Sequence, residues 1–546
     1  MRQRGLKILR VAGAAAVFAG LTAALVDFRG AVPPVVGQGL ASIQFVPSAV
    51  ALATGAGVAL ACLVILVVTL AAGRIYCSAI CPLGIFQDIV ARLAGWVRGK
   101  KALLPYRPAR TWIRQLFLWG GVAGMVAGGA GLTLSLLDPY SIYGRIASGL
   151  FRPVVTLANN ALVDLIRALG GESLYRVIPP WAGVAALAVP AVMLALVAGL
   201  AAWRGRIYCN TVCPVGTLLG LVSARSAWQL SLDPGACRKC GDCLRDCKAQ
   251  CIDLRSGTID SSRCVACYNC LDACREAGIG YRWTWRKRSA KPASPPVPGA
   301  NHAASAADPQ RRAFIATAVL SLTTIAGADR LLAVTAAGND PSARPGAKDE
   351  KSPTGSRRPN YSRAICPPGA GSVDRFLDTC TACHLCVSAC PTHVLQPAFL
   401  EYGFLGLLKP RLDYTDAFCN FDCRRCAEVC PDGALGLLPL AQKQVTRIGV
   451  AEFDVERCIV KTKGTDCAAC SEHCPTKAVD TIPYGDNLRL PQVNQELCIG
   501  CGACEFACPS KPDKAITVAG QRRHDQAKRG KEEKARDPRR GNAFPF

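Results

Sequence analysis

Hydrophobic positions are unevenly spread along the chain. They crowd before residue 205, in long runs separated by short basic stretches, and thin out beyond it. Gly30 to Gly73 contains no charged residue, and Ser48–Ala72 within it is long enough to span a bilayer. About twenty apolar residues suffice for a crossing. Leu9–Val26, Phe117–Leu137 and Trp181–Ala202 have the same character, so the pattern predicts four spans. The distribution of Lys and Arg orients them. Arg2, Arg4, Lys7 and Arg10 precede the first span, and Arg74, Arg92, Arg98, Lys100, Lys101, Arg107 and Arg110 fill the second loop. The first loop has only Arg29, and the third, about 138–180, offsets four arginines with three acids. The N-terminus, the second loop and the segment after Ala202 are therefore expected on the cytoplasmic side.

Composition supports a multi-domain membrane protein. The chain has 546 residues, half of them hydrophobic. Its formal charge, 64 − 39 = +25, raises the question of nucleic acid. The basic residues lie beside apolar segments and in a tail, nine of them from Arg522 to Arg540, with no stripe of stacking aromatics. No nucleic-acid partner is expected.

The thirty-one cysteines carry the chemistry. Cys237, Cys240, Cys243 and Cys247 read C-x2-C-x2-C-x3-C, as do Cys264, Cys267, Cys270 and Cys274. Cys380, Cys383, Cys386 and Cys390 repeat the pattern with Pro391 after it, and Cys498, Cys501, Cys504 and Cys508 with Pro509. Two looser copies are Cys419, Cys423, Cys426 and Cys430-Pro431, and Cys458, Cys467, Cys470 and Cys474-Pro475. Three cysteines two residues apart wrap a loop around three irons of a cubane, and the fourth thiolate serves the other cluster of a pair. Six such motifs make a poor disulfide framework, and a zinc ribbon has no use for the third cysteine or the trailing Cys-Pro. Cys380-Thr-Ala-Cys383-His384 matches the c-type haem motif, but haem would strand Cys386 and Cys390, so His384 is read as an ordinary loop residue.

The cross-ligation rule assigns Cys237, Cys240 and Cys243 with Cys274, and Cys264, Cys267 and Cys270 with Cys247. Downstream it assigns Cys380, Cys383 and Cys386 with Cys430, and Cys419, Cys423 and Cys426 with Cys390. The last two sets are Cys458, Cys467 and Cys470 with Cys508, and Cys498, Cys501 and Cys504 with Cys474. The expectation is six [4Fe-4S] clusters, about twenty-four irons, each motif pair forming a βαββαβ-like lobe. Cys251 and Cys366 are left over, and Cys62 lies mid-span as a core residue.

The membrane region repeats itself. Gly73–Gly84 and Gly205–Gly216 agree at eight of twelve positions, each copy carrying C-x3-C-P after a two-span hairpin. Both halves point the same way, as in parallel repeats. Cys77, Cys81, Cys209 and Cys213 could therefore converge to ligate an extra metal, form a redox disulfide, or only fill space. Pro82 and Pro214 suggest a turn opening a new helix. The first histidine is His302, so the membrane region has no histidine ligand for haem b. The stretch Asp138–Arg145 offers an acid, two tyrosines and an arginine, either as a quinone contact or as an interfacial anchor.

Between the two cysteine-rich regions, Lys287–Ala307 is rich in Pro, Ala and Ser and reads as a linker. Arg311-Arg312-Ala-Phe314-Ile315 and the apolar run to Ala328 read as a twin-arginine signal or a fifth span. Folded export would spare the thiols an oxidising compartment. The expected organisation is a four-span membrane domain (1–225), a cytoplasmic two-cluster domain (226–285), a linker (286–308), the signal or span (309–337), a second linker (338–363), an exported four-cluster domain (364–518) and a basic tail (519–546). In fold class this is an α-helical membrane domain joined to α+β bacterial-ferredoxin-like domains.

On these motifs, residues 1–285 resemble the NapH-type membrane ferredoxins, related to the NosR C-terminal domain and to CcoG-type proteins. Residues 309–515 resemble the NapG/MauM-type exported ferredoxins, so the chain looks like a fusion of the two. The resemblance implies a plasma-membrane module that passes electrons from menaquinol in the quinone pool to a periplasmic reductase or cytochrome. Lys248 and Arg275 stand where the family has proline after the fourth cysteine. The alternative is a copper reductase or assembly factor using the membrane cysteine pairs; a structural scaffold does not explain six clusters in series.

Overall fold

The computed structural model describes residues 2–55, 60–99, 106, 108, 110–125, 130–177, 184–284, 364–485 and 487–529. The linkers, the twin-arginine stretch and the tail beyond residue 529 lie outside them.

The apolar runs form helices, though not always the expected ones. α1 (Arg2–Val26) and α11 (Val184–Arg204) are continuous. The run Ser48–Ala72 is instead split between α3 (Phe45–Ala53) and α4 (Ala61–Ala72). α2 (Pro34–Ser42) meets α3 at 87°. Gly55, at φ +68°, takes a backbone conformation that a helix interior does not allow. The described residues of Phe117–Leu137 lie mostly in α7 (Thr111–Gly124) and α8 (Ala130–Leu137). Among the described residues three helices are long and apolar enough to cross a membrane: Gly5–Val26, Pro139–Ala168 and Leu187–Arg204. The bent α2–α3 pair would make a fourth.

The stretch expected as an outer loop, 138–180, is largely helical. α9 (Pro139–Ile146) continues through a wide turn, Ala147–Phe151, into α10 (Arg152–Ala168). Asp138 caps it, accepting from the amides of Tyr140 and Ser141.

The first cysteine-rich region is a βαββαβ lobe. β1 (Trp228–Leu232) pairs antiparallel with β4 (Ile279–Trp283), and β2 (Ile252–Asp253) with β3 (Thr258–Ile259). The short helices α14 (Asp242–Asp246) and α15 (Asn269–Ala273) lie between them. The second region holds two lobes. In the nearer one, β5 (Leu395–Pro397) pairs with β6 (Pro410–Leu412), and an Ile365–Leu412 bridge stands where the outer ladder would be. In the further one, β7 (Thr446–Phe453) pairs with β10 (Ile516–Gln526), and β8 (Val479–Tyr484) with β9 (Leu488–Val493). β10 thus takes up the first residues assigned to the tail, because β7 is long enough to pair with them.

The two regions meet opposite ends of α1. At its start Lys7 Nζ lies 2.7 Å from Asp272 Oδ2, on α15. Near its end the carbonyl of Leu25 accepts from Ser388 Oγ at 2.7 Å, in the short helix Leu385–Ala389. The first cysteine-rich region also holds α4, where Tyr281 Oη donates to Ala72 O, and α7, where Arg114 donates to Ser262. The α9–α10 helix packs along the second cysteine-rich region. Ser148 meets His384, Arg152 meets Val387, Ser388 and His393, and further along Asn159 meets Arg29, just past α1.

Candidate electron-transfer centres

Each tight cysteine motif kinks its backbone the same way. Left-handed residues flank the second cysteine: Lys239 and Gly241, Ala266 and Tyr268, Ala382 and His384, Gly500 and Gly502, with φ from +47° to +85°. Such angles are rare for non-glycine residues and mark a functional constraint. Here they curl the loop so that three thiols face inward. Of these four pairs only Gly500 and Gly502 are glycine at both positions, so the sequence hides the device in the others.

The thiols gather in groups. Cys243 faces Cys237, Cys240 and Cys274; Cys270 faces Cys264, Cys267 and Cys247. Cys386 faces Cys380, Cys383 and Cys430; Cys426 faces Cys419, Cys423 and Cys390. Cys458 and Cys470 face Cys467 and Cys508, while Cys504 faces Cys498, Cys501 and Cys474. Backbone amides point at the sulfurs: Ala382 at Cys380, Leu435 at Cys430, Ala478 at Cys474 and Ala515 at Cys508, at 3.2–3.4 Å. Amide donors suit thiolates carrying the charge of a cluster. Among the described residues no three His, Cys, Asp or Glu side chains stand close enough to hold a single metal ion. Four thiols per set match the ligand number of a [4Fe-4S] cluster. The residues therefore fit iron–sulfur clusters.

Neighbouring sets adjoin. Cys243 and Cys270 link the inner two, and Cys386 and Cys426 link the first outer two. Cys419 N donates to Cys501 O at 2.9 Å, tying the second of these sets to the one formed by Cys498, Cys501 and Cys504. Cys470 lies beside Cys504 of the last pair.

Two residues differ from expectation. Cys251 is not remote: its Sγ lies 3.7 Å from Cys247 Sγ, in the cavity that Cys264, Cys267 and Cys270 also line. Its thiol hydrogen bond holds Cys247 down to about 6. His384 is no ordinary loop residue. It is buried, with Nε2 2.7 Å from Leu408 O and Nδ1 3.2 Å from Ser148 Oγ, and burial holds it down to about 4. Cys366 is buried beside Tyr402 and Cys62 is buried on α4.

The two C-x3-C-P repeats meet. Gly73 (φ +82°) and Gly205 (φ +64°) turn the chain into the short helices α5 (Tyr76–Ala79) and α12 (Ile207–Thr211). Cys81 and Cys213 then cap α6 (Pro82–Val97) and α13 (Pro214–Ser223), each with proline in the first turn, as expected. All four thiols are buried and unbridged, and they face one another.

The stretch Asp138–Arg145 is sealed rather than lipid-facing. Tyr140, Tyr143 and Arg145 are fully buried. Gly144 lies flush against the carbonyl of Cys383, where any Cβ would collide. A separate cavity of about 560 Å³ opens beside it, between the end of α1 and the outer region. Asp27, Arg152, His393 and Cys390 line it, with Phe28, Val32, Pro33 and Leu385 as apolar walls. Arg152 Nη2 lies 3.0 Å from His393 Nδ1, and burial beside that cation holds His393 down to about 4. Asp27 accepts from the amides of Arg29, Gly30 and Val32 at 2.8–3.0 Å.

Known proteins agree with this chemistry. A family model described as a 4Fe-4S binding domain matches residues 54–103 and 185–231. A second of the same description matches 375–396 and 491–511, and a 4Fe-4S dicluster domain matches 418–478. Ferredoxin-type protein NapF of Escherichia coli (strain K12) is 30% identical over 148 residues, 27% of this chain and 82% of that protein. Methylamine utilization ferredoxin-type protein MauM of Methylorubrum extorquens is 36% identical over 154 residues, 27% of this chain and 68% of its own length. Ferredoxin-type protein NapG of Escherichia coli (strain K12) is 35% identical over 152 residues, 26% of this chain and 64% of its own. No solved structure matches. The shared cysteine motifs, the gathered thiols and these identities lead to one conclusion: the chain belongs to the ferredoxin-type 4Fe-4S electron-transfer proteins.

Proposed function

We propose that this protein oxidises a quinol at the outer face of the plasma membrane and delivers the electrons through its outer ferredoxin lobes to an extracytoplasmic reductase or cytochrome. The membrane region then crosses four times, with the first cysteine-rich region in the cytoplasm and the second outside, exported by the twin-arginine stretch. The contacts of α1 with the two regions at opposite ends support that arrangement. So do the contacts of α9–α10 along the outer region, which favour a helix lying at the surface over a fifth crossing.

The observation that carries the quinol reading is the cavity beside Cys390. Its volume suits a small-molecule site, roughly 300–1,000 Å³. Apolar walls are joined by four arginines, Arg29, Arg152, Arg176 and Arg425, and a cluster ligand forms one side. This cavity replaces Asp138–Arg145 as the quinone site. Because His393 Nδ1 accepts from Arg152, its Nε2 carries the proton and can donate to a headgroup oxygen. Asp27, fixed by three backbone amides, can accept the proton that a quinol hydroxyl gives up.

The six four-thiol sets would hold [4Fe-4S] clusters, which supply one-electron transfer when bound. The chain's part is to align them: Cys386 beside Cys426, Cys419 tied to Cys501, Cys470 beside Cys504. In purified protein, a short-chain menaquinol should bleach the visible absorbance of the outer clusters. Absence of bleaching in the wild-type chain would sink the quinol reading.

A further inference from the structure

We propose that Cys77, Cys81, Cys209 and Cys213 together hold one further iron–sulfur cluster, shared between the two membrane repeats, that relays electrons between the inner and outer ferredoxin regions. This goes beyond the six clusters of the ferredoxin motifs.

The two repeats build one site by exchange. Arg74 of the first repeat donates through Nη2 to Cys209 O of the second, at 3.4 Å. Arg206 of the second donates through Nη1 to Cys77 O of the first. A side chain on Gly84 would strike Cys77 O and Arg206, and one on Gly216 would strike Cys209 O and Arg74. Cys81 and Cys213 stand in the same conformation, φ −67°, ψ 115° and φ −66°, ψ 116°. Each half therefore supplies one C-x3-C pair in equivalent geometry. Four thiolates are the usual ligand set of [2Fe-2S] and [4Fe-4S] clusters.

Charge asks for an anion there. Arg74 and Arg206 are fully buried. Arg10, Arg206 and Lys248 all pair with Asp88, at 3.9, 2.7 and 2.9 Å. Arg74 is met by Asn210 Oδ1, Ser262 O and Cys209 O, and lies 3.8 Å from Cys77 Sγ. One carboxylate, Asp88, thus pairs with three of these cations, while Arg74 meets only neutral oxygens beside the Cys77 sulfur. Unbalanced buried charge is costly. A thiolate-ligated cluster, net negative, balances it. Neutral thiols or a disulfide would not. Donors already point at the sulfurs: Gln87 Nε2 at Cys209 and Gly216 N at Cys213, both 3.3 Å.

The place suits a relay. Inward, Lys248 follows Cys247, and Ser262, which receives Arg74, precedes Cys264 by two residues. Outward, Tyr208 faces Cys209 and Cys213 on one side and Asp138 and Arg145 on the other. Arg145 in turn faces Cys380 and Cys383. The relay takes one electron from a reduced cluster of one region and gives it to an oxidised cluster of the other, with no bond made or broken in the protein.

The test uses the full chain carrying Cys81→Ser and Cys213→Ser together. Serine is a favoured N-cap, so both helices keep their starts. Cys62→Ser, a buried cysteine outside the site, is the control. The chain is reconstituted in vesicles with a membrane-impermeant reductant, dithionite, on one side only. Iron and labile sulfide per chain should fall by one cluster in the double variant and stay level in the control, with loss of one Mössbauer component. Bleaching should reach both regions in wild type and only the near one in the variant. Unchanged iron would overturn the cluster. Lost iron with bleaching still reaching both regions would overturn the relay. If the double variant does not fold, Cys77→Ser alone serves, with the same readings. Failure of menaquinol to reduce the wild-type chain would sink the quinol reading and leave the iron count standing.

Discussion

Cys251 Sγ lies 3.7 Å from Cys247 Sγ, placing a fifth thiol against the four that line the second inner set. Hydrogen bonds to cluster sulfur raise reduction potentials. Cys251→Ala should therefore lower the potential of that cluster while leaving iron content unchanged. A redox titration followed by electron paramagnetic resonance checks this; an unmoved midpoint would remove Cys251 from the account.

Asp88 gathers Arg206, Lys248 and Arg10. Asp88→Asn leaves those cations buried without their carboxylate. Breaking a buried pair this way costs about 3–5 kcal/mol. The expected outcome is a clear drop in the thermal midpoint of the detergent-solubilised protein. The loss should be partly recovered in Asp88→Glu.

His393 and Asp27 line the same cavity. His393→Phe should raise the menaquinol concentration needed for half-maximal cluster bleaching, because it removes the donor that orients the headgroup. Asp27→Asn should slow bleaching with less effect on that concentration, because it removes the proton acceptor. Stopped-flow absorbance separates the two, and equal behaviour of both variants would contradict the assigned roles.

His524, in β10, is held by burial from the ordinary 6.5 down to about 4. Below the unfolded value the unfolded chain binds the proton more readily, so stability falls as pH drops through 6.5 towards about 4. Above pH 6.5 the contribution is fully present. His524→Gln should flatten this part of the pH–stability curve, measured by thermal melts of the outer region's signal.

The cluster chemistry was legible because cysteine spacing is local: a C-x2-C-x2-C loop closes on itself wherever it stands. The pairing of Cys247 with the second motif followed from the same rule. The membrane helices were legible only in part. Hydropathy sees Ser48–Ala72 as one run, and it stays apolar across the break between α3 and α4. The stretch after Asp138 read as a loop because its polar residues are satisfied from far away: Ser148 by His384 and Arg152 by Val387, Ser388 and His393, more than 230 positions along the chain. No window of neighbouring residues contains that information. His384 was misjudged for the same reason.

α1 acts as a gauge block. It is braced by Lys7 against Asp272 at one end and by Leu25 against Ser388 at the other, so the spacing between the two cysteine-rich regions is set by the rise of one rigid rod of 25 residues. One extra turn in α1 should throw the alignment of the redox centres out of true.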